Sequence, residues 1–271
     1  MLRDITIGQY YPAKSVIHKL DPRVKLFSTL LYIIALFTFK GIAGFLLVTV
    51  FLAVVIRLSR VPLRFIVKGL KAIIIILLIT ACFNLFFTSG VHVYWQWGFL
   101  KITDVGIKNA VIMMIRLVYL IVGTSLMTFT TTPNQLTDAL EKSLGFLNAL
   151  HVPVHAIAMM MSIALRFIPI LIEETDKIMK AQMARGADFE TGNIFKKAKS
   201  MVPLLVPLFV SAFRRADDLA MAMEARCYNG GAGRTKMKPL RYKQRDAIAY
   251  IVILLFLMTI ILFRIFLPWP M

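Results

Sequence analysis

A chain of 271 residues that is 59% hydrophobic, with a mean hydropathy of +0.75, is too apolar for a soluble domain, where about half the residues are apolar. The formal charge is +18, from 32 Lys and Arg against 14 Asp and Glu. These basic residues flank apolar runs of membrane-spanning length. That placement argues against nucleic-acid binding and for anchoring on an anionic leaflet and docking on an acidic partner.

The chain opens with about twenty polar and mixed residues and no secretory signal pattern, so the N-terminus is expected to stay attached. Five runs then approach the roughly 20 apolar residues that cross a bilayer: 24–39, 42–56, 70–88, 110–129 and 247–267. The first two are short and joined by Lys40-Gly41, which predicts a tight helical hairpin. The aromatic stretch Val91-His92-Val93-Tyr94-Trp95-Gln96-Trp97 reads as an interfacial belt or a short strand-like loop.

Charge sets the orientation. Lys and Arg number five in 1–25, five in 57–71 and seventeen in 131–246. Only Lys40, Lys101 and Lys108 fall on the opposite side, with Arg116 and Arg264 inside spans. The positive-inside rule puts the three basic segments in the cytoplasm. Residues 1–130 then form an N-terminal segment with four transmembrane helices, 131–246 a cytoplasmic helical domain, and 247–271 a last transmembrane helix. The apolar stretches 152–172 and 201–213 are expected on the cytoplasmic side. If both crossed, Lys177, Lys180, Arg185 and Lys196 would be stranded outside. The fold class is therefore an all-α integral membrane protein with about five transmembrane helices and long cytoplasmic helices.

Within 131–246, Thr132, Pro133 and Gln135 predict a capping box that opens an amphipathic helix over 133–150, with Leu136, Leu140, Leu144 and Leu147 on one face. A second helix begins at Pro153 and stops at Gly186. A third runs from about Ile194 to Arg226, before the breaker Asn229-Gly230-Gly231-Ala232-Gly233. The two long helices end alike, in Ala184-Arg185-Gly186 and Ala225-Arg226-Cys227, with the arginines 41 residues apart. The helix dipole favours a cation there. Small neighbours leave the guanidinium open to bidentate carboxylates. One such end is an ordinary cation cap; two matched ends suggest two similar receiving surfaces. Nine of the 15 methionines lie in this region, which suits either an adaptable interface or helix-core filling.

These residues resemble the transmembrane T component of energy-coupling factor (ECF) transporters, prokaryotic systems for vitamin and metal uptake. The resemblance is carried by Gly8-Gln9-Tyr10 with Pro12, Ser15 and His18, by Leu20-Asp21-Pro22-Arg23-Val24-Lys25-Leu26, by Thr132-Pro133, and by the pair Ala184-Arg185-Gly186 and Ala225-Arg226-Cys227-Tyr228. It covers essentially the whole chain. Cys227 stands where the first motif has Gly186, a departure of small for small. The resemblance implies a multi-pass protein of the prokaryotic cell membrane whose Arg185 and Arg226 dock one each into two ATP-binding-cassette ATPases. It also implies a membrane-embedded, substrate-binding S component as partner, with membrane lipids around both. No catalytic residue, cofactor, metal or nucleic acid is expected of this chain.

Other readings are weaker. The phosphate-cradling pattern Gly-x-x-x-x-Gly-Lys-Ser/Thr is absent, so ATP would be hydrolysed by another chain. His151 and His155 are four apart, but Pro153 lies between them and no carboxylate is placed as a third ligand. Glu173-Glu174 read as a solvated helix start or partners of Lys177. A stand-alone channel or secondary carrier would carry more mid-membrane polar groups than Asn84 and Arg116.

Overall fold

The computed structural model describes residues 10–39, 41–90, 93–97, 100–187, 189, 194–230, 236–237 and 239–266. The sequence features at Gly8-Gln9, Lys40, Val91-His92, 190–193, 231–233 and 268–271 lie outside the described residues, as does Asp188. In chain order the elements are α1 (Pro22–Thr38), α2 (Ile42–Ser59), α3 (Leu63–Phe87), a hairpin of β1 (Val93–Trp97) and β2 (Leu100–Thr103), α4 (Asp104–Thr130), α5 (Pro133–Ser143), a 3₁₀ turn (Gly145–Leu150), α6 (Val154–Ala184), α7 (Ile194–Glu224) and α8 (Gln244–Phe266). This is the expected all-α membrane architecture, and the aromatic stretch is strand-like.

The chain divides into two compact units, one of residues 8–139 with 240–271 and one of 140–239 with 1–7. The first holds α1 to α4 and α8. Its core joins Tyr32, Leu36 and Phe39 of α1, Val48 and Leu52 of α2, Val122 and Leu126 of α4, and Ile253, Phe256 and Ile260 of α8. Lipid tails are as apolar as leucine, so such helices are held by close packing rather than by escape from water. Gly123 illustrates this: a Cβ there would sit 2.2 Å from Tyr32 Cε1. Without it, the Tyr32 ring reaches α4 and its hydroxyl donates to the Tyr119 carbonyl at 2.9 Å.

One end of this unit is tied by polar contacts. Asp21 caps α1 by accepting from the Arg23 amide at 2.9 Å, and Pro22 stands within the first turn, where its missing N–H costs nothing. The Arg23 guanidinium forks onto the Asp21 carboxylate and lies 4.0 Å from the Tyr242 ring centroid. The buried Asp246 carboxylate accepts the Asp21 amide and the Lys243 amide, each at 2.8 Å. Lys25 Nζ donates to the Thr130 carbonyl at 2.7 Å, and the Tyr11 amide to the Phe129 carbonyl at 2.9 Å. The starts of α1 and α8 and the end of α4 therefore share one end. At the far end, Thr103 Oγ donates to the Thr88 carbonyl at 2.9 Å, joining the end of α3 to the start of α4. Arg116, inside α4, donates to the Phe39 carbonyl just past α1 at 3.3 Å.

Among the described residues, α4, α6 and α8 are long and apolar enough to cross a membrane. α3 joins them if its halves, 63–71 and 73–87, count as one span bent by 59°. α2 is a shorter apolar helix and α1 has only 17 residues. The five expected runs overlap α1, α2, α3, α4 and α8, of which α1 and α2 fall short of spanning length, whereas α6, which holds the run 152–172 expected on the cytoplasmic side, is long and apolar enough to cross. The expected 57–71 loop is mostly helical, because α3 begins at Leu63.

Two local expectations are corrected in the second unit's neighbourhood. The helix expected over 133–150 ends at Ser143 and tightens into the 3₁₀ turn, which begins at the weak helix former Gly145. Glu174 does not open a helix: it lies within α6 and binds α7. The Thr132 capping box forms as expected, with Gln135 N to Thr132 Oγ at 3.3 Å and Thr132 N to Gln135 Oε1 at 3.2 Å.

Candidate functional site: two arginine helix ends

α6 and α7 each have 31 residues. Glu174 on α6 accepts from Ser211 Oγ at 2.9 Å and pairs with Arg215, both on α7. Eight residues further along α6, Gln182 Nε2 donates to the Pro203 carbonyl at 3.4 Å. The α7 partner number falls as the α6 number rises, so the helices run in opposite senses where they touch. Their C-terminal ends diverge. Arg226 lies 23 residues beyond Pro203, about 35 Å of helix at 1.5 Å per residue.

The Gln182 contact has a covalent cause. Pro207 has no N–H, so the Pro203 carbonyl four residues earlier loses its helical donor. The side-chain amide of the neighbouring helix takes that place.

Both arginine ends close in the same hydrogen-bond pattern. At α6, the Gly186 amide reaches the Met183 carbonyl at 2.9 Å and the Ala187 amide reaches Gln182 at 3.0 Å. At α7, the Cys227 amide reaches Glu224 at 2.8 Å and the Tyr228 amide reaches Met223 at 3.1 Å. Each is a Schellman motif, with the 6→1 and 5→2 bonds that satisfy carbonyls left over at a helix end. The residue after each arginine must be left-handed, and Gly186 and Cys227 are, at φ +87° and +56°. Arg185 and Arg226 therefore occupy the same cap position. Both are exposed, as are Ala184, Gly186, Ala225 and Cys227. Among the described residues neither guanidinium has a hydrogen-bond or ion-pair partner. The structure thus gives all six expected residues matched local settings, on two separate helix ends.

A further node escaped the sequence reading. Glu141, at the end of α5, receives His155 Nδ1 at 2.9 Å and the Lys236 ammonium. Burial raises its carboxyl, but the hydrogen bonds from Lys236 and His155 outweigh burial and hold it below the ordinary carboxylate value. Lys236 follows the second arginine end by ten residues, so Glu141 at the end of α5 holds both Lys236 and His155 of the first turn of α6. Nothing in the spacing of these three residues signals the contact. His151, the other histidine of the pair, sits past the 3₁₀ turn with φ +59°.

The profile of a family described as CbiQ, cobalt transport protein, matches residues 13–238, which include both arginine ends. The energy-coupling factor transporter transmembrane protein EcfT of Clostridium kluyveri is 54% identical over 266 residues, covering 98% of this chain and 98% of its own length. The protein of the same name from Ruminiclostridium cellulolyticum is 52% identical over 97% of this chain and 98% of its own length. That from Bacillus subtilis is 47% identical over 97% and 99%.

Proposed function

Because the chain belongs to the family of energy-coupling factor transporter transmembrane proteins, we propose that it transmits ATP hydrolysis by two ATP-binding-cassette ATPases to a membrane-embedded, substrate-binding S component for uptake of a vitamin or other micronutrient. The observation that carries this reading is the pair of exposed arginines, without partners among the described residues, on two Schellman-capped helix ends. Each arginine is exposed between small residues and sits where the helix dipole favours a cation. Each is able to enter a carboxylate-lined groove and be held bidentately. The opposed run of α6 and α7 keeps the two ends apart, which supports two receivers rather than one. In this reading hydrolysis belongs to those receivers.

The Glu174–Arg215 pair and the Gln182–Pro203 bond fasten α6 to α7, so movement of either end is felt by both helices. The pair would carry closing and opening of the ATPases toward the S component.

The cytoplasmic placement of 131–246 is supported by parity as well as charge. α4 ends at Thr130 and α8 begins at Gln244, and both lie at the end tied by Lys25 and Asp246. An even number of crossings must lie between them. α6 has the length and apolarity of a span, whereas α7 does not pass that test among the described residues. Two crossings are therefore disfavoured and none remains. The same parity supports five crossings by α1, α2, α3, α4 and α8, with the N-terminus inside.

The test is co-purification of the ATPases, with ATP-driven uptake, for Arg185→Ala, Arg226→Ala and the double variant. Removing one partner of a buried charge pair costs about 2–5 kcal/mol. Each single change should weaken assembly and the double change should abolish it. Undiminished assembly and uptake in the double variant would refute the docking role.

A further inference from the structure

A cavity of about 270 Å³ lies among α1, α2, α4 and α8. Lys25, Thr130 and Arg245 stand where it meets the tied end of the bundle, and Tyr32, Phe51, Gly123 and Ile253 line it deepest in the helices. From Lys25 to Tyr32 and from Thr130 to Gly123 is seven residues, and from Arg245 to Ile253 eight. Each helix thus gives the same depth of about 10–12 Å. The wall between is almost wholly aliphatic and aromatic. Its Thr29 and Tyr32 hydroxyls are already spent on the Lys25 and Tyr119 carbonyls.

The cations at the mouth keep donors that no acceptor takes among the described residues. The Arg245 side chain is half-buried and has no hydrogen bond or ion pair among the described residues. Lys25 carries three donor hydrogens, of which two go to the His18 and Thr130 carbonyls. Leu58, on the same rim, is flanked in sequence by Arg57 and Arg60. The aliphatic and aromatic part of the wall offers water few hydrogen-bond partners. A chain long enough to fill it must end in a group that suits a guanidinium at the membrane surface.

We infer that the slot holds one acyl chain of an anionic phospholipid, with the lipid phosphate on Arg245. The chain fills the depth between α1, α2, α4 and α8. The phosphate takes the planar donor fork of Arg245 bidentately, the geometry in which arginine surpasses lysine. The bound lipid becomes part of the packing of α8 against α1 and α2.

The full-length chain is reconstituted in vesicles of equal phosphatidylcholine and phosphatidylglycerol, extracted in mild detergent, and its retained lipids are counted by native mass spectrometry. Wild type should retain one phosphatidylglycerol in preference to phosphatidylcholine. Arg245→Gln should lower that retention by about tenfold, the effect of losing one charge-assisted contact, with helical content by circular dichroism unchanged. Ala249→Phe, placed on the wall of the slot, should remove the retained lipid of either kind. The inference is overturned if wild type retains no lipid, retains both lipids equally, or keeps as much phosphatidylglycerol after Arg245→Gln. A correctly helical Ala249→Phe variant with full retention would also overturn it.

Discussion

Gly186 and Cys227 hold the same left-handed backbone position, at φ +87° and +56°, one residue past Arg185 and Arg226. Glycine takes that conformation freely, whereas a side chain there costs roughly 1–2 kcal/mol. A Cβ on Gly186 would meet nothing within 4 Å, so the cost at that site is backbone strain and not collision. Cys227→Gly should therefore stabilise the end of α7 by about 1 kcal/mol, and Gly186→Ala should weaken the end of α6 by a similar amount. Hydrogen exchange at the Tyr228 and Ala187 amides, which close the two motifs, reads the effect. Exchange should slow about fivefold in the first variant and quicken in the second. Unchanged exchange in both would show that the caps are not strained as described.

The parity of crossings makes a labelling prediction. In a background with Cys82 and Cys227 replaced by Ser, Asp188→Cys and Gly231→Cys should resist an impermeant maleimide added to intact cells and react once the cells are opened. Efficient labelling from outside at either position would overturn the cytoplasmic placement of 131–246.

The Gln182–Pro203 bond should depend on Pro207. Gln182→Ala removes the only donor identified for the Pro203 carbonyl and should loosen α6 from α7 by about 1 kcal/mol. Pro207→Ala restores an N–H four residues beyond Pro203, so Gln182→Ala should then cost much less. A double-mutant cycle on resistance of the full-length chain to denaturant measures the coupling. Additive effects would mean that the two sites act independently.

His18 gives the unit a dependence on pH. Its Nε2 donates to the Tyr11 carbonyl at 2.9 Å, and its Nδ1 is 2.6 Å from Ser15 Oγ, which donates to it when the ring is neutral. Burial lowers its pKa from the ordinary 6.5; the Tyr11 hydrogen bond opposes that shift and nearby Lys25 adds to it. The unfolded chain thus takes up a proton before the folded one does. The stability tied to neutral His18 is complete above 6.5 and is lost as pH falls from there through the lower folded value. Thermal unfolding in detergent should show a drop between pH 7.5 and 5 that is smaller in His18→Gln. An identical drop in the variant would assign it to other groups.

Much of the candidate site was legible because its determinants are local. A Schellman end needs a left-handed residue after the cap, and Gly186 with the breaker after Cys227 announces it within a few positions. The Thr132–Gln135 capping box spans three residues. Other parts were not legible for the same reason. Glu174 has Lys177 one turn away on its own helix, yet its ion-pair partner is Arg215, 41 residues later. Glu141, His155 and Lys236 share no spacing rule.

The sequence by itself determined that this is a helical membrane protein, where its apolar runs and basic segments lie, and that two arginines finish two long helices. Composition and contacts within one helical turn carry all of that. Only the tertiary structure decided that α1 packs on α8 and α3 on α4, that Asp246 reaches Asp21 across 225 positions, and that α6 and α7 meet in opposite senses. A helix surrounded by lipid is apolar on every side, so periodicity does not say which face meets a neighbour. Close fits such as Gly123 against Tyr32 and a few buried polar bonds choose the partners, and they exist only once the helices are side by side.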